Sequence, residues 1–336
     1  MPDTDPQREI SSADVTVVVV SWQQRDLLRD CLRSLVGQTL PHRVLVVDNA
    51  STDGTGDMVR TQFPRAQLLT LTRNAGFAGG MSAALQQVNS RYVALLNNDA
   101  QADPHWLEAS LVQLVAKDVA AVTAKLLLPS VSGAPARINN TGVLLLRTGY
   151  GADRGLGDLD DERYEQPADV FGFSGGAAVL RTLAVRAVGG FDPEYFLYYE
   201  DTDLSWRLRL AGWRISYCPT AVVHHLHAAS SDPESELFAF HTERNRLLTL
   251  YRNAPVGFAL SCTARFIITT GSLALKHWLR RPVAPAQVFL PQLRIRVLVA
   301  LVRRLPKTVA KRIRTQARVP RRIVLDQWRG AGQGQV

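Results

Sequence analysis

Four short apolar runs, each followed at once by polar residues, recur along the first hundred residues. They are 15–20 (VTVVVV), 43–47 (RVLVV), 67–71 (QLLTL) and 91–96 (RYVALL), and each is typical of a buried strand. Apolar residues at helical spacing predict helices at 26–36, 54–62, 80–89 and from an N-cap at Asp103-Pro104 to about 116. Strands that alternate with helices indicate an α/β fold, with a mostly parallel sheet and helices on both faces.

Polar residues cluster where the predicted strands end. These clusters are Ser21-Trp22, Asp48-Asn49, Arg73-Asn74 and Asn97–Asp99. The carboxyl ends of parallel strands share one edge of a sheet, and open α/β sheets bind ligands at that edge. The sequence therefore predicts a ligand site there.

The middle of the chain predicts further strands and one loop. Residues 119–146 are strand-rich, and 171–251 return to a compact α/β pattern. Residues 151–169 are acidic and rich in glycine, which predicts a mobile loop over the site.

The segment 189–213 (GGFDPEYFLYYEDTDLSWRLRLAGW) places three carboxylates beside five aromatic residues and before a helical pattern. Carboxylates beside bulky apolar groups are costly unless they have partners or a chemical use. Each one is therefore either a helix cap or a catalytic group. Asp203 is the better N-cap or first-turn acid of the helix that follows.

The basic residues are concentrated near the C-terminus. Residues 252–329 hold 17 Lys and Arg against one acid, whereas the whole chain carries a net charge of +9. Such a segment indicates a polyanionic partner, and a membrane is favoured over nucleic acid because no nucleic-acid-reading module accompanies the charge. Three scattered cysteines and the absence of a signal-peptide pattern favour a reducing, cytoplasmic compartment.

Two C-terminal stretches could contact a membrane. Residues 256–278 are long enough to span a bilayer, but Arg265 near the middle favours an interfacial or re-entrant helix. Between 293 and 305, apolar residues alternate with arginines as in a basic amphipathic helix, which suits anionic lipids. The alternative is a helix packed on the rest of the chain or on another subunit. Prolines are expected to break these helices, at Pro282, Pro285, Pro291, Pro306 and Pro320.

Seven motifs occur in one order along residues 14–250: VVVVSW, VVDNASTDG, RNAGFAGG, LLNND, FSGGAAVLR, GGFDPEYFLYYEDTDLSWR and HHLHAASS. In this order and spacing the chain resembles family 2 glycosyltransferases of the rhamnosyltransferase-like branch. The resemblance implies a GT-A (Rossmann-like) fold, a nucleotide-activated sugar donor, a divalent metal, and inversion at the anomeric carbon.

The resemblance also implies a donor site for a nucleoside diphosphate sugar. Asp48 matches the position that contacts the base, although a turn or helix-cap role for Asp48 remains open. Glycines in the motifs allow close backbone approach to the ligand, or serve only as tight turns and sheet packing. The donor-binding residues it implies are Ser21, Asp48, Arg73, Asn74, Gly76, Asn98, Gly175 and Gly176.

The LNND motif matches the metal-binding position of the family. Asn97 replaces the first carboxylate of the usual DxD, so Asp99 is the sole anionic ligand, and His225 is the expected further ligand or diphosphate contact. The cofactor implied is Mg²⁺ or Mn²⁺, both of which accept few protein ligands and keep waters. An ordinary turn at 97–99 and a solvated or hydrogen-bonded histidine are the alternatives; His227 is a weaker candidate.

The family position of the general base falls on Asp201. Inverting transfer needs a base on the acceptor hydroxyl, usually a carboxylate whose pKa is adjusted by its surroundings. Glu200 is expected to help bind acceptor hydroxyls. Arginines in the helical stretch after Glu243 could meet the diphosphate, but a solvated helix face is the favoured interpretation.

These expectations divide the chain into four parts. They are a disordered tail (1–13), a GT-A catalytic domain (14–251), a basic amphipathic membrane-associating segment (252–329) and a disordered tail (330–336). The predicted enzyme transfers a sugar, with dTDP-rhamnose the favoured donor, to a lipid-linked or cell-envelope glycan at the inner membrane face. A nucleotidyltransferase and a non-catalytic membrane-associated protein are the alternatives, and homo-oligomerisation is left open.

Overall fold

A computed structural model of the chain describes residues 14–129, 135–226, 234–282 and 284–330. The predicted tail 1–13, His227 and all of the C-terminal tail except Gly330 lie outside these residues. The strands are β1 (Val15–Ser21), β2 (Arg43–Asp48), β3 (Gln67–Thr70), β4 (Tyr92–Leu96), β5 (Ala100–Ala102), β6 (Val119–Leu127), β7 (Ile138–Asn140), β8 (Val143–Leu145), β9 (Gly151–Asp153), β10 (Ala168–Asp169), β11 (Ala177–Arg181) and β12 (Arg214–His225). The helices are α1 (Arg25–Val36), α2 (Thr55–Gln62), α3 (Gly76–Gln87), α4 (Trp106–Leu114), α5 (Thr182–Ala187), α6 (Glu200–Leu210), α7 (Glu236–Asn253), α8 (Val256–Trp278), α9 (Pro291–Arg314) and α10 (Arg321–Trp328).

One twisted sheet organises the fold, in the order β10-β12-β6-β11-β4-β1-β2-β3. The N-terminal strands β4, β1, β2 and β3 are parallel, as predicted, and β12 is parallel to β6. β11 runs antiparallel between β4 and β6. The predicted α/β class is confirmed.

The run of valines in β1 shows why this sheet is covered on both faces. Val17 and Val19 belong to one hydrophobic cluster, which also contains residues of α1, α2 and α4. Val18 and Val20 belong to a second cluster, with residues of α3, α5 and α6. Successive strand residues point to opposite faces, so only a helix layer on each face can bury an all-apolar strand.

A third cluster joins the C-terminal helices to the rest of the molecule. Leu293, Val297 and Leu301 of α9 are buried with Leu247 and Leu250 of α7. The apolar stripe predicted for a membrane is thus largely used against α7, as in the packing alternative. The division at residue 251 remains a prediction, but this cluster extends across it.

Three local predictions were wrong. α4 begins at Trp106, because Asp103-Pro104 forms the turn before it and the Asp103 carbonyl accepts from Trp106 N at 3.0 Å. Pro306 lies inside α9, whose second half is held by Arg312 donating to the carbonyls of Tyr251 and Ala254. Packing on both sides offsets the one backbone hydrogen bond that a proline removes.

The third is the acidic stretch 151–169, which is not an irregular loop. It contains β9, β10 and a short 3-10 helix at Glu162–Tyr164. Lys125 bonds Asp160 at 2.7 Å, and Tyr217 Oη donates to the Tyr164 carbonyl at 2.7 Å. These contacts attach the stretch to the sheet.

Candidate active site

The polar ends of β1, β2 and β4 meet at one edge of the sheet, as predicted. Ser21 and Asp48 are register partners on neighbouring strands, and both are buried. Asn98 Nδ2 donates to Ser21 Oγ at 3.3 Å. Three of the predicted donor-site residues are therefore brought together.

Asp48 also supports its own turn. Its Oδ1 accepts from the backbone N–H of Ser51 at 2.9 Å, while Ser51 Oγ accepts from the N–H of Gln23 at 2.9 Å. This is the turn role left open for Asp48, and it joins the loops after β1 and β2. A nucleotide contact by Asp48 stays a prediction.

Asn49 was not predicted as a site residue, yet it organises the loop before α3. Its Nδ2 donates to Asn74 Oδ1 at 3.0 Å and to the Gly76 carbonyl at 3.1 Å, and its Oδ1 accepts from Ala75 N at 2.8 Å. A buried amide at a strand end, next to Asp48, was the available indication. Arg73, by contrast, is exposed at the surface of this loop.

Gly76, Gly79 and Gly80 form the first turns of α3 rather than a turn before it. Gly76 has a φ of +71°, and a Cβ there would lie 2.1 Å from the carbonyl oxygen of Phe196. That oxygen accepts from Ala78 N at 3.1 Å. Glycine at 76 therefore allows α3 to pack against the aromatic segment that precedes Asp201.

Asn97, Asp99 and His225 converge at the other end of this edge. His225 Nε2 lies 3.1 Å from Asp99 Oδ1 and 3.3 Å from Asn97 Nδ2. The pairing of β12 with β5, which sets His225 opposite Ala100, brings them together across 126 residues of sequence. Asn139 was missed: its Oδ1 lies 2.8 Å from His225 Nδ1.

This cluster fits a divalent cation through few ligands. When Nδ1 of His225 donates to Asn139, its Nε2 presents a lone pair toward the carboxylate oxygen of Asp99. Two acceptors that face each other in this way can bind a cation between them. Carboxylate and amide oxygens are ligands that Mg²⁺ and Mn²⁺ accept beside waters. Among the described residues, no three His, Cys, Asp or Glu side chains form a metal-binding group, so the protein would supply only part of the coordination shell.

Asp201 is the second residue of α6 and remains partly exposed. Its Oδ2 accepts from Gly175 N at 2.9 Å, and its Oδ1 accepts from Thr202 Oγ1 at 3.1 Å. Burial raises the pKa of the Asp201 carboxyl, although these hydrogen bonds oppose the change. A half-buried carboxylate with a raised pKa has the properties of a general base.

Glu200, the residue before Asp201, is more deeply buried than Asp201. The side chain is buried, and no described residue bonds its Oε2. Burial, reinforced by the charge of Asp201, raises the pKa of Glu200 well above its usual range. A neutral Glu200 can donate a hydrogen bond, which is compatible with the predicted contact to an acceptor hydroxyl.

Gly175 and Gly176 connect the two halves of the site. Gly175 N donates to Asp201, while the Gly176 carbonyl accepts from Asn97 N at 2.9 Å. A Cβ on Gly176 would lie 3.7 Å from His225 Cε1. The candidate base and the candidate cation ligands are thus separated by two residues of backbone.

Helix α7 holds the aromatic segment in place. Asn245 Nδ2 lies within 3.0 Å of the carbonyls of Tyr195, Leu197 and Tyr198, and Arg244 donates to the Tyr195 carbonyl at 2.8 Å. Arg246 forms a buried ion pair with Glu243 at 2.8 Å. The prediction of a solvated helix face was therefore wrong, because these polar side chains have buried partners.

Asp203 is not the N-cap of α6, a position that Tyr199 occupies, but it is an acid of the first turn, which was the other role predicted for it. The Asp203 side chain is buried. Its carboxylate pairs with Arg207 at 2.7 Å and with Arg252 at 3.0 Å, and accepts from Asn253 Nδ2 at 2.8 Å. Although burial acts to raise its pKa, the two arginines hold it below the usual value.

Residues 13–247 match the model of the family described as glycosyltransferase like family 2. The chain belongs to this family. The predicted membership is thereby confirmed, and the protein is a sugar-transfer enzyme.

Two relatives of this family 2 glycosyltransferase are rhamnosyltransferases by name. It is 30% identical over 247 residues to an N-acetylglucosaminyl-diphospho-decaprenol L-rhamnosyltransferase of Mycobacterium tuberculosis, covering 67% of this chain and 80% of the relative. It is 24% identical over 274 residues to the O-antigen chain rhamnosyltransferase WbaN of Salmonella anatum, covering 74% of this chain and 84% of the relative.

The fold of this family 2 enzyme is also found in a solved glycosyltransferase. A mannosyltransferase from Pyrobaculum calidifontis, in complex with GDP-Man and Mn²⁺, superposes with a TM-score of 0.51 at 17% identity. The match covers 99% of this chain and 82% of that one. The predicted GT-A fold is confirmed.

Proposed function

We propose that the chain is an inverting glycosyltransferase that uses Asp201 as general base. It transfers a sugar from a nucleoside diphosphate sugar to a hydroxyl of a lipid-linked or cell-envelope glycan. The observation that carries the proposal is the Gly175–Gly176 backbone. It bonds the Asp201 carboxylate on one side and Asn97 on the other.

The donor lies at the sheet edge in this proposal. Ser21, Asp48 and Asn98 form the nucleotide side, where the loops after β1 and β2 are joined. Asp99 and His225, with Asn97 beside them, would hold Mg²⁺ or Mn²⁺. A divalent cation bound there supplies charge neutralisation for the diphosphate leaving group.

The protein's own part in the reaction is a proton transfer. The acceptor oxygen forms a bond to the anomeric carbon, and Asp201 takes the hydroxyl proton. The bond from that carbon to the diphosphate breaks on the opposite face, and its electron pair leaves with the diphosphate. Gly175 N fixes the Oδ2 atom of Asp201, so the base is oriented before the acceptor arrives.

The names of the relatives support rhamnose as the sugar and a lipid diphosphate as the carrier of the acceptor. One relative is named for L-rhamnosyl transfer to an N-acetylglucosaminyl-diphospho-decaprenol, and another for an O-antigen chain. We therefore favour dTDP-rhamnose as the donor.

We also place the protein on the inner face of the cell membrane. α8 is the one helix of the described residues that is long and apolar enough to cross a bilayer, and 28% of its apolar window is buried. Ile268 and Trp278 on this helix are 71% and 77% exposed. With Arg265 near its middle, α8 suits an interfacial position better than a span.

Replacing Asp201 by Asn tests the base. We expect D201N to lower kcat by roughly 10²–10⁴-fold while donor binding in the presence of Mg²⁺ persists, because the amide keeps the shape but cannot take the proton. In the wild type, kcat/KM should fall with decreasing pH through a pKa above the ordinary aspartate value of 3.8. Transfer rates from a panel of nucleotide sugars, measured across pH, would give kcat and kcat/KM. Calorimetry would measure donor binding.

The matched control is Asp57→Asn, which makes the same change on α2 at a side chain 86% exposed. It should leave kcat unchanged. Turnover of D201N at the wild-type rate would refute the assignment of Asp201, and absence of transfer from any nucleotide sugar would refute the function.

A further inference from the structure

Two adjoining cavities lie between α7, the turn at 193–196 and α9. Their volumes are about 590 and 690 Å³. Both are lined by Glu194, Arg244 and Arg304, so they form one continuous depression, here named the basic groove. The proposed donor and base residues do not line it.

The groove carries a surplus of positive charge. Its walls contain one acid, Glu194, against Arg244, Arg296, Arg303, Arg304 and Lys307. Glu194 is already bonded by Lys311 at 2.7 Å, a lysine outside the lining. Arg296 pairs with Glu236, and Arg304 and Lys307 share Glu194 at 3.9 and 3.4 Å. Within the described residues, Arg244 and Arg303 of this lining form no ion pair with a carboxylate.

Arg244 shows the imbalance most clearly. It is 4% exposed, and every hydrogen bond it makes within the described residues goes to a neutral acceptor, such as the Tyr195 carbonyl at 2.8 Å and His241 Nδ1 at 3.0 Å. Burial, with the charge of Arg304, lowers the pKa of Arg244 to about 10. Burial and the charge of Arg244 lower the pKa of His241 to about 4. A buried cation that bonds only neutral acceptors is costly, so an anionic ligand is the natural complement.

Apolar side chains lie beside these cations. Ile295 and Val299 line the second cavity and are 53% and 44% exposed, and Leu237 of the first cavity is 48% exposed. Arginine clusters recognise phosphate through paired N–H donors. A ligand with a phosphate head and an apolar tail would therefore match both parts of the groove.

Phe196 connects the groove to the candidate active site. Its ring lines the first cavity and packs on His241, with 5.2 Å between ring centroids. Its carbonyl accepts from Ala78 N in the first turn of α3, and Asp201 follows five residues later. The same turn of chain thus contacts the groove and the proposed donor side.

We infer that the basic groove binds the diphosphate of a lipid-linked acceptor, with the lipid over Ile295 and Val299 and the sugar directed towards Asp201. The inference rests on the proposed function. It assigns to Arg303 and Arg304 the contact with the acceptor's phosphates and to the exposed apolar residues the first part of its chain.

A binding measurement without donor tests the groove independently of turnover. Farnesyl diphosphate is the probe, titrated into the full chain in EDTA, where metal-assisted binding at the donor site is suppressed. Arg303→Gln combined with Arg304→Gln should weaken its binding at least tenfold. The matched control is Arg314→Gln with Arg318→Gln, which removes the same charge at exposed positions outside the groove and should bind as the wild type does. Farnesol, which lacks the diphosphate, should show no difference among the three proteins.

Transfer kinetics provide the second measurement. With a glycosyl diphosphate lipid as acceptor, the R303Q/R304Q variant should raise KM at least tenfold, whereas KM for the same glycan on a phosphate-free alkyl chain should not change. Equal weakening in both double variants would overturn the inference, as would displacement of farnesyl diphosphate by UDP. The inference would also be overturned if the R303Q/R304Q variant no longer bound anionic vesicles but kept its affinity for farnesyl diphosphate. The groove would then be a membrane contact. Failure of every donor and acceptor with the wild type would instead refute the proposed function.

Discussion

The backbone before Asp201 adopts a conformation that most residues avoid. Phe196, Tyr198 and Tyr199 all have positive φ, at 64°, 68° and 70°. Left-handed geometry costs a non-glycine residue about 1–2 kcal/mol. The carbonyls of this stretch are held by Asn245 and Arg244, which offset that cost. Strain of this kind persists where the surroundings over-determine it, and here it fixes the direction in which α6 presents the carboxylate.

The packing of α3 against the aromatic segment tolerates a side chain at Gly76 least. Replacing it by alanine would place Cβ 2.1 Å from the Phe196 carbonyl oxygen at a φ of +71°. We expect G76A to lower the midpoint of thermal unfolding and to reduce donor binding, because α3 must move away from the aromatic segment. Calorimetric melting with and without donor would measure both.

Gly157 is the matched control. Its φ is +82°, but an added Cβ would meet nothing within 4 Å. G157A should therefore show only the backbone cost of about 1–2 kcal/mol and unchanged donor binding. Equal melting points for the two variants would contradict the proposed contact between Gly76 and Phe196.

At the scale of elements, α6 is joined to α7 by a buried ion network. Asp203 of α6 forms ion pairs with Arg207 of the same helix and with Arg252 of α7. We expect Asp203→Asn to cost about 3–5 kcal/mol, because removing one partner leaves buried charges uncompensated. Asp26→Asn, at an ion pair whose aspartate is 69% exposed, should leave stability nearly unchanged, because solvent screens exposed pairs. Urea unfolding of both variants measures the difference, and similar values would show that the network contributes little.

The same network sets an expected pH dependence. The pKa of Asp203 is lower in the folded chain than the ordinary value of 3.8. A depressed pKa contributes stability that is fully present above the unfolded value and is lost as pH falls through the folded one. Wild-type stability should therefore decline below about pH 4 more steeply than that of D203N. Parallel acid-unfolding curves would contradict this.

For the whole molecule, the exposed apolar face of α8 is the proposed membrane contact. We expect Ile268→Asp combined with Trp278→Ser to reduce sedimentation with anionic vesicles at least tenfold, because both side chains are largely exposed and their insertion would be lost. Leu183→Asp on α5, where the side chain is 67% exposed, is the control and should bind vesicles normally. Normal vesicle binding by the α8 variant would place the contact elsewhere.

The layered α/β fold and its first four strands follow from local patterns in the sequence. Apolar runs such as Val15–Val20 require burial on both faces, and the polar residue after each run marks the ligand edge. The sequence also indicated that Ser21, Asp48 and Asn98 lie along one edge of the sheet, because the carboxyl ends of parallel strands share that edge.

The polar residues that meet across long sequence separations could be identified only from the packing of the whole fold. His225 reaches Asp99 through the pairing of β12 with β5, and Asn139 and Asn245 act through contacts that no local pattern reveals. Asp203 looked like a cap because capping is a local property, whereas its partner Arg252 lies 49 residues away. The apolar stripe on α9 has the same helical period whether it faces lipid or α7, so its pattern could not distinguish the two. The packing of α9 on α7 buries much of this stripe. Periodicity shows that a face must be covered, while the covering surface is fixed by the rest of the fold.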